Sequence, residues 1–222
     1  MSDGNSVSGS CDSCKDSALS AHQAAGAVIL CGGRSVRMGT DKSLLLIDGQ
    51  PFLSYVCETI APRFNMTIVV AAEDQRLPEL PATVDVVRDA VLDAGPLAGL
   101  LTGLEELRQR DRPPEIIWLG CCDAPLVNLD VINRLLTMVD SRDAAVVRYA
   151  GRIQPLGGVY RTAILATVRR MIAAGERRLQ QLPLALNTEL IDAEELRDLD
   201  PNLDCLKNIN TPEDYQRYVT DR

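Results

Sequence analysis

One segment near the start of the chain has the composition of an anion-binding loop. It reads Leu30-Cys31-Gly32-Gly33-Arg34-Ser35-Val36-Arg37-Met38-Gly39-Thr40-Asp41-Lys42 and follows a short apolar run. Glycines let backbone N–H groups approach phosphate oxygens, and Arg37 and Lys42 can neutralise phosphate charge. The spacing matches neither a Walker A loop nor the dinucleotide pattern of three spaced glycines. The segment predicts a phosphate site; the alternative is a glycine-rich loop with solvated cations.

Two aspartates follow predicted strands. Asp89 comes after Val84–Val87, and Asp123 follows the apolar run Ile116–Gly120. Ligands of open α/β sheets bind beyond the carboxyl ends of the strands, and Mg²⁺ takes one or two carboxylates plus phosphate oxygens and waters. We expect Asp123 to hold Mg²⁺, with a helix N-cap as its alternative role. Asp89 could accept from hydroxyl or N–H groups of a ligand, or could be an ordinary loop residue.

The elements that must position these residues alternate along the chain. Buried-type strands are predicted at Ala27–Cys31, Thr67–Ala72, Val84–Val87, Ile116–Cys122 and Ala144–Tyr149, with further candidates at Gly157–Tyr160 and Thr188–Ile191. Helical patterns lie between them and end with one opened by Thr211 as N-cap and Pro212 as first residue. This alternation predicts a mostly parallel sheet with helices on both faces. Residues 1–24 lack periodic apolar positions and are predicted to be a disordered leader.

Composition narrows the functional classes. The chain has 222 residues and a net charge of −8, which disfavours nucleic acid and anionic membranes as partners. No apolar run reaches the ~18–20 residues of a membrane span. The single histidine, His22, argues against His-rich metal sites. Seven cysteines without an export signal indicate reduced thiols and a cytoplasmic location, and Cys11-Asp12-Ser13-Cys14 lacks the second pair of a zinc site.

Four motifs, in order, give the chain a family resemblance. Residues 32–42 read G-G-x-S-x-R-M-G-x-D-K, residues 95–99 read G-P-L-A-G, residues 122–125 read C-D-A-P and residues 208–214 read N-I-N-T-P-E-D. This series resembles the molybdenum cofactor guanylyltransferase (MobA-type) family of nucleotidyltransferases, from about Gly26 to the C-terminus. The resemblance implies one nucleotidyltransferase domain over residues 25–222, a three-layer αβα sandwich with a mostly parallel, Rossmann-like sheet. Its N-terminal half would bind nucleotide and its C-terminal half molybdopterin.

The resemblance also implies a reaction. The terminal phosphate of molybdopterin, or of Mo-molybdopterin, attacks the α-phosphate of GTP, and pyrophosphate leaves. Lys42, Asp123 and Arg37 would be the catalytic residues, with Mg²⁺ on Asp123. The full set implied to bind GTP is Leu30, Cys31, Gly32, Gly33, Ser35, Lys42, Asp89 and Asp123. Amides of Gln154, Asn208 and Asn210 would read the pterin, or Asn210 would only cap the last helix or turn the chain. Cofactor-delivery proteins and molybdoenzyme apoproteins are further candidate partners.

One departure weakens the guanine assignment. Family members often carry an Asn-rich turn after the second strand, where this chain has Ala71-Ala72-Glu73-Asp74. The Gly32-Gly33 pair nevertheless resembles the guanine-using branch, because the cytosine-using branch tends to have Ala-Gly there. Three alternatives therefore stay open: a CTP-using molybdopterin cytidylyltransferase, a nucleotidyltransferase for a sugar 1-phosphate, and a non-catalytic protein that binds nucleotide or cofactor.

Overall fold

A computed structural model describes residues 25–31, 41–89 and 95–220 of the chain. The strands are β1 (Ala25–Leu30), β2 (Leu46–Ile47), β3 (Gln50–Pro51), β4 (Met66–Ala72), β5 (Val84–Asp89), β6 (Ile116–Cys121), β7 (Ala144–Tyr149), β8 (Arg152–Arg161) and β9 (Thr188–Asp192). The α-helices are α1 (Phe52–Ile60), α2 (Pro96–Arg108), α3 (Leu129–Met138), α4 (Leu165–Ala173) and α5 (Pro212–Thr220). Short 3₁₀ turns connect several of them, including one at Lys42–Leu44.

Seven strands form one sheet in the order β5-β4-β1-β6-β8-β7-β9. Strands β5, β4, β1 and β6 run parallel to one another, and β7 runs parallel to β9. Strand β8 alone is antiparallel to both β6 and β7. The carboxyl ends of β4, β1 and β6 therefore lie side by side at one edge of the sheet, which is where ligands bind in such folds.

Alternating side chains of the central strands supply two cores. Ala27, Ile29 and Val69 face α1 and α3 on one side of the sheet. Val28 and Val70 face α2 and α4 on the other. The helices therefore cover both faces, and the predicted three-layer α/β sandwich with a mostly parallel sheet is confirmed. No helix among the described residues is both long and apolar enough to cross a membrane.

Strand β8 differs from its prediction. A tight turn joins β7 to it, with Ala150 at φ 48° and Gly151 at φ 74°. Two successive left-handed residues make a two-residue hairpin loop whose twist suits antiparallel strands. The strand consequently starts at Arg152, five residues before the predicted Gly157, and enters the sheet between β6 and β7. The Ala-Gly pair is a weaker turn signal than Asn-Gly, so the hairpin was not predicted.

Strand β5 also differs from its prediction. Strand β5 was predicted as a buried strand, but it lies at the edge of the sheet, and Val86 is 42% exposed. A 3₁₀ turn at Thr162–Ile164 leads from β8 into α4. The N-terminal cap of α5 is confirmed, because the Thr211 Oγ1 atom accepts from the Asp214 N–H at 3.1 Å.

Candidate active site

Three side chains that are distant in sequence meet beyond the carboxyl end of β6. The Lys42 Nζ atom lies 3.2 Å from the Asp123 Oδ2 atom and donates to the Asn210 Oδ1 atom at 2.7 Å. The Lys42 and Asp123 side chains are only 15% and 25% exposed. Partial burial lowers the effective dielectric, so this ion pair is stronger than a fully solvated one. The structure thus brings the predicted catalytic lysine and the predicted metal carboxylate into direct contact.

The C-terminal segment holds this arrangement together. The Ile209 N–H donates to the Asp123 carbonyl oxygen at 2.8 Å, and the Ile209 side chain packs with Ile47 and Phe52. The Tyr215 hydroxyl of α5 donates to the Leu46 carbonyl oxygen at 2.8 Å. Hydrogen bonds and an apolar cluster therefore dock residues 209–215 onto the same segment that carries Lys42.

The Asp41 carboxylate binds the backbone of the turn that carries Lys42. Its Oδ1 atom accepts from the Ser43 N–H at 3.0 Å and from the Ser43 hydroxyl at 2.7 Å. The carboxylate thereby caps the 3₁₀ turn whose first residue is Lys42. Because Lys42 stands between the capping residue and its partner, the capped turn fixes the direction in which the lysine side chain leaves the backbone.

Asp123 does not cap a helix. The N-cap of α3 is Asn128, whose Oδ1 atom accepts from the backbone N–H groups of Asp130 and Val131. Burial and then the neighbouring Asp123 carboxylate raise the pKa of the Cys121 thiol well above its usual range. Cys121 therefore stays a neutral thiol beside this carboxylate. Because Asn128 and not Asp123 caps α3, the helix-cap alternative for Asp123 is excluded.

Four of the described cysteines have buried thiols. Cys31, Cys57, Cys121 and Cys122 are all buried and free. A hydrogen bond with Cys31, followed by burial, raises the pKa of the Cys122 thiol, and burial raises the pKa of Cys57 to about 12. Thiols with raised pKa values are poor nucleophiles. Cys57, Cys121 and Cys122 therefore act as small core residues.

A cavity of about 110 Å³ adjoins the charged cluster. It shares a wall with it, because Cys121 and Ala124 line the cavity on either side of Asp123. None of the described residues that line it is charged. Its amide side chains are Asn128, Gln154, Gln180 and Asn208, and the Asn128 amide already donates to the Leu199 carbonyl oxygen at 3.0 Å. Gln154, Gln180 and Asn208 are the other amide side chains of this lining.

Trp118 forms one side of this cavity. Its indole N–H donates to the Gly157 carbonyl oxygen at 3.2 Å, and its ring covers Gly120 so closely that a Cβ there would lie 2.1 Å from the ring. Trp118 is also the only tryptophan of the chain. Its fluorescence therefore comes from one ring, which lines this cavity and also stacks on Phe64.

Those predicted site residues that the structure describes fall into three groups. Lys42, Asp123 and Asn210 come together, whereas Gln154 and Asn208 line the cavity without Asn210. Leu30, Cys31 and Asp89 lie at the same edge of the sheet, where the Leu30 carbonyl accepts from the Cys122 N–H at 3.3 Å and the Cys31 N–H donates to the Val70 carbonyl at 2.8 Å. The predictions for Gly32, Gly33, Ser35 and Arg37, and for the leader, fall outside the described residues.

Two residues were missed by the sequence analysis. Gln180 lines the cavity just after the Arg-rich turn at residues 177–178. Gln75 reaches from the turn after β4 to the Asp41 carboxylate, with its Nε2 atom 2.9 Å from Oδ2. Neither glutamine lies in a motif, and only the order of strands in the sheet brings Gln75 near Asp41.

Residues 27–189 match the sequence pattern of the MobA-like NTP transferase domain. The chain belongs to this family. It is a nucleotidyltransferase, and Lys42 and Asp123 lie within the matched range. The C-terminal residues that contact them, Ile209 and Asn210, lie beyond that range but within the same fold.

Curated relatives extend the similarity over most of the nucleotidyltransferase. A molybdenum cofactor guanylyltransferase of Syntrophotalea carbinolica is 30% identical over 194 residues, covering 86% of this chain and 89% of that protein. Another from Pseudomonas entomophila is 34% identical, covering 84% and 93%. The structure of the Archaeoglobus fulgidus molybdopterin-guanine dinucleotide biosynthesis protein A superposes with a TM-score of 0.72 at 22% identity, covering 89% of this chain and all of that one. A nucleotidyl transferase of Methanothermobacter gives 0.69 at 20% identity, covering 89% and 96%.

Proposed function

We propose that this protein transfers GMP from GTP to the terminal phosphate of molybdopterin and releases pyrophosphate. The observation that carries the proposal is the junction of two unlike sites: a lysine–carboxylate pair at the sheet edge and an uncharged, amide-lined cavity beside it. A phosphate reaction needs the first, and recognition of a neutral heterocycle needs the second. Relatives that are 30–34% identical and named molybdenum cofactor guanylyltransferase support this pairing.

Lys42 would act on the phosphates. An oxygen of the acceptor phosphate forms a bond to the α-phosphorus of GTP, the bond from that phosphorus to the bridging oxygen breaks, and the electron pair leaves with pyrophosphate. Negative charge grows on the leaving oxygens, and a cation placed in advance lowers the barrier to that step. Asn210 and Asp123 hold the Lys42 ammonium at the sheet edge until the nucleotide phosphates arrive.

The residues at this point also fit Mg²⁺. A carboxylate oxygen of Asp123 and the amide oxygen of Asn210 face the same nitrogen of Lys42, and hard oxygen donors are the ligands that Mg²⁺ prefers. Among the described residues, no group of three or more His, Cys, Asp and Glu side chains could hold an ion alone, so nucleotide phosphates and waters would complete the shell. Bound Mg²⁺ would supply charge neutralisation at the phosphates.

The cavity would take the pterin end of the acceptor. A pterin presents a flat edge of alternating donors and acceptors, which the amides of Gln154, Gln180 and Asn208 can pair with. A volume of about 110 Å³ is well below the roughly 300–1,000 Å³ of pockets that enclose a whole drug-sized ligand. One end of an elongated acceptor would therefore enter, with its phosphate reaching toward Lys42.

Pyrophosphate release and Trp118 fluorescence together test the proposal. With GTP, Mg²⁺ and molybdopterin, we expect release of pyrophosphate, and quenching of Trp118 by molybdopterin even before nucleotide is added. Quenching and nucleotide binding without release would identify a binding protein rather than an enzyme. Equal release with CTP would transfer the assignment to the cytosine-using branch. Release with a sugar 1-phosphate, but not with molybdopterin, would identify the other acceptor class.

Nucleotide choice can be measured independently of the acceptor. A ligand that binds only the native state raises its stability by RT ln(1 + [L]/Kd). With Mg²⁺ present, GTP should raise the melting temperature more than ATP, CTP or UTP at equal concentration. Equal shifts for all four nucleotides would contradict the guanine preference while leaving phosphate binding intact.

A further inference from the structure

The side-chain amide of Gln75 joins the ends of β4 and β1 to the 3₁₀ turn that begins with Lys42. Its Oε1 atom accepts from the Ala72 N–H at 3.3 Å at the end of β4. Its Nε2 atom lies 2.9 Å and 3.2 Å from the two Asp41 carboxylate oxygens and 3.6 Å from the Cys31 Sγ atom. A backbone N–H can only donate and a carboxylate can only accept, so these partners fix which end of the amide is which.

The backbone of the same turn is held from the other side. The Gln75 N–H donates to the Ala72 carbonyl oxygen at 3.1 Å. The Arg88 guanidinium of β5 donates to the carbonyl oxygens of both Ala72 and Gln75, at 2.9 Å and 2.8 Å. Three hydrogen bonds thus hold the turn that carries the amide, and the Gln75 side chain extends from a rigid base.

Asp41 transmits this rigidity to Lys42. Its carboxylate is shared between Gln75 on one side and the Ser43 N–H and hydroxyl on the other. Ser43 is fully buried, so its polar groups depend on that carboxylate. Without Gln75, the Asp41 carboxylate would keep, of its bonds to the described residues, those to Ser43 alone, and the turn that begins with Lys42 would lose its tie to β4.

We infer that Gln75 is a positioning residue for the Lys42 ammonium and acts through the Asp41 carboxylate. It holds the lysine where the nucleotide phosphates are expected, and in that respect the inference rests on the proposed function. It also accounts for the altered turn after β4: the chain lacks an Asn-rich nucleotide contact there, and a glutamine braces the catalytic turn instead.

The decisive substitution is Gln75→Glu. It keeps the length of the side chain and an oxygen for the Ala72 N–H, but sets a second carboxylate against Asp41. The chain contains three lysines, Lys15, Lys42 and Lys207, so lysine labelled with ¹³C and ¹⁵N gives few NMR signals to assign. A Lys42→Arg variant identifies the Lys42 signals. We expect Gln75→Glu to shift the Lys42 Cε and Nζ signals and leave those of Lys207 in place.

A matched control and a rescue separate this role from general destabilisation. Gln109→Glu makes the same charge change at an exposed glutamine whose amide donates to the Glu105 carbonyl within its own helix end; it should not move the Lys42 signals. Adding Asp41→Asn to Gln75→Glu reverses the polarity of the contact. The Nδ2 atom of the introduced asparagine would donate to the new carboxylate, while its Oδ1 atom still accepts from Ser43. The double variant should restore the Lys42 signals.

Turnover provides the second measurement. Gln75→Glu should lower kcat/KM for GTP roughly 10-fold, the scale of one hydrogen bond to a charged group, and the double variant should recover most of that loss. Gln75→Met, which keeps the length without polar atoms, replaces the glutamate variant if that protein does not fold.

Two results would overturn the inference: Lys42 signals unchanged in folded Gln75 variants, or a double variant with Lys42 signals further displaced than in the single one. Displaced and rescued signals with unchanged turnover would uphold the positioning and instead contradict the phosphate role of Lys42.

Discussion

The charged cluster and the cavity differ in how their polar groups are satisfied. In the cluster, Lys42 pairs with Asp123 and Asn210, and Asp41 pairs with Ser43 and Gln75. In the cavity, amide groups face a space whose described lining carries no charge. Charges fixed in advance can stabilise charge that develops during a reaction, whereas amides distinguish ligands by donor and acceptor pattern. The cluster should therefore govern rate, and the cavity should govern affinity for the acceptor.

The largest loss of turnover is expected for Lys42→Ala. Removing one preorganised group that stabilises transition-state charge costs roughly 10²–10³ in kcat. Acceptor binding should survive, because Lys42 does not line the cavity, so molybdopterin should still quench Trp118. Lys207→Ala is the control, since that lysine is exposed and pairs with Asp204, three residues before it, at 2.6 Å. Near-normal kcat in the Lys42 variant would remove the catalytic distinction between the two regions.

Asp123→Asn should cost at least ~10²-fold in turnover, because it removes the charge that would hold Mg²⁺ against the phosphates. Asparagine keeps the size and one acceptor oxygen for Lys42. Nucleotide binding without metal should persist, and the dependence of pyrophosphate release on Mg²⁺ should weaken. Asp130→Asn, in the first turn of α3, controls for the lost charge. Unchanged Mg²⁺-dependent release would contradict a metal role for Asp123.

The local sequence pattern was sufficient to predict most strands and helices and two residues of the charged cluster. Buried apolar runs predicted β1, β4, β6 and β7, and the Thr-Pro pair predicted the start of α5. Lys42 and Asp123 were identifiable because each follows a buried strand in a motif. What periodicity cannot provide is strand order. The edge position of β5 and the hairpin between β7 and β8 follow from pairing between distant segments.

For the same reason, contacts between residues that are distant in sequence were not predicted. Asn210 meets Lys42 across 168 positions, and Gln75 meets Asp41 across 34. Asn210 was assigned to the pterin by resemblance, and its bond to Lys42 makes it part of the charged cluster. Whether it also contacts an acceptor stays a prediction. Gln154 and Asn208, assigned on the same grounds, do line the cavity.

Gln154→Leu sharpens the comparison from the cavity side. Losing one amide that pairs with the acceptor should raise the KM for molybdopterin by roughly 5–10-fold, the scale of one net hydrogen bond, while kcat and the KM for GTP change little. Such a split is typical of binding that is equal in the ground and transition states. Gln109→Leu, outside the cavity, serves as the control. A fall in kcat with unchanged KM would place Gln154 in the chemistry instead.

The smallest effect is expected for Gly95→Ala, and it is an effect on stability. Gly95 lies next to Pro96, which lines the cavity. Gly95 has φ 80°, and a Cβ there would lie 2.7 Å from the Arg177 carbonyl oxygen. Gly49 is a matched control, since it has φ 82° but no atom within 4 Å of the place that a Cβ would occupy. Both substitutions incur the left-handed penalty, roughly 1–3 kcal/mol, but only the one at position 95 must also displace a backbone oxygen. Gly95→Ala should therefore melt lower than Gly49→Ala, by roughly 2–4 °C for each kcal/mol of that extra cost. Equal melting temperatures would mean that the backbone at Arg177 moves away from the new Cβ at no cost in stability. The cavity rim would then be more easily deformed than the charged cluster.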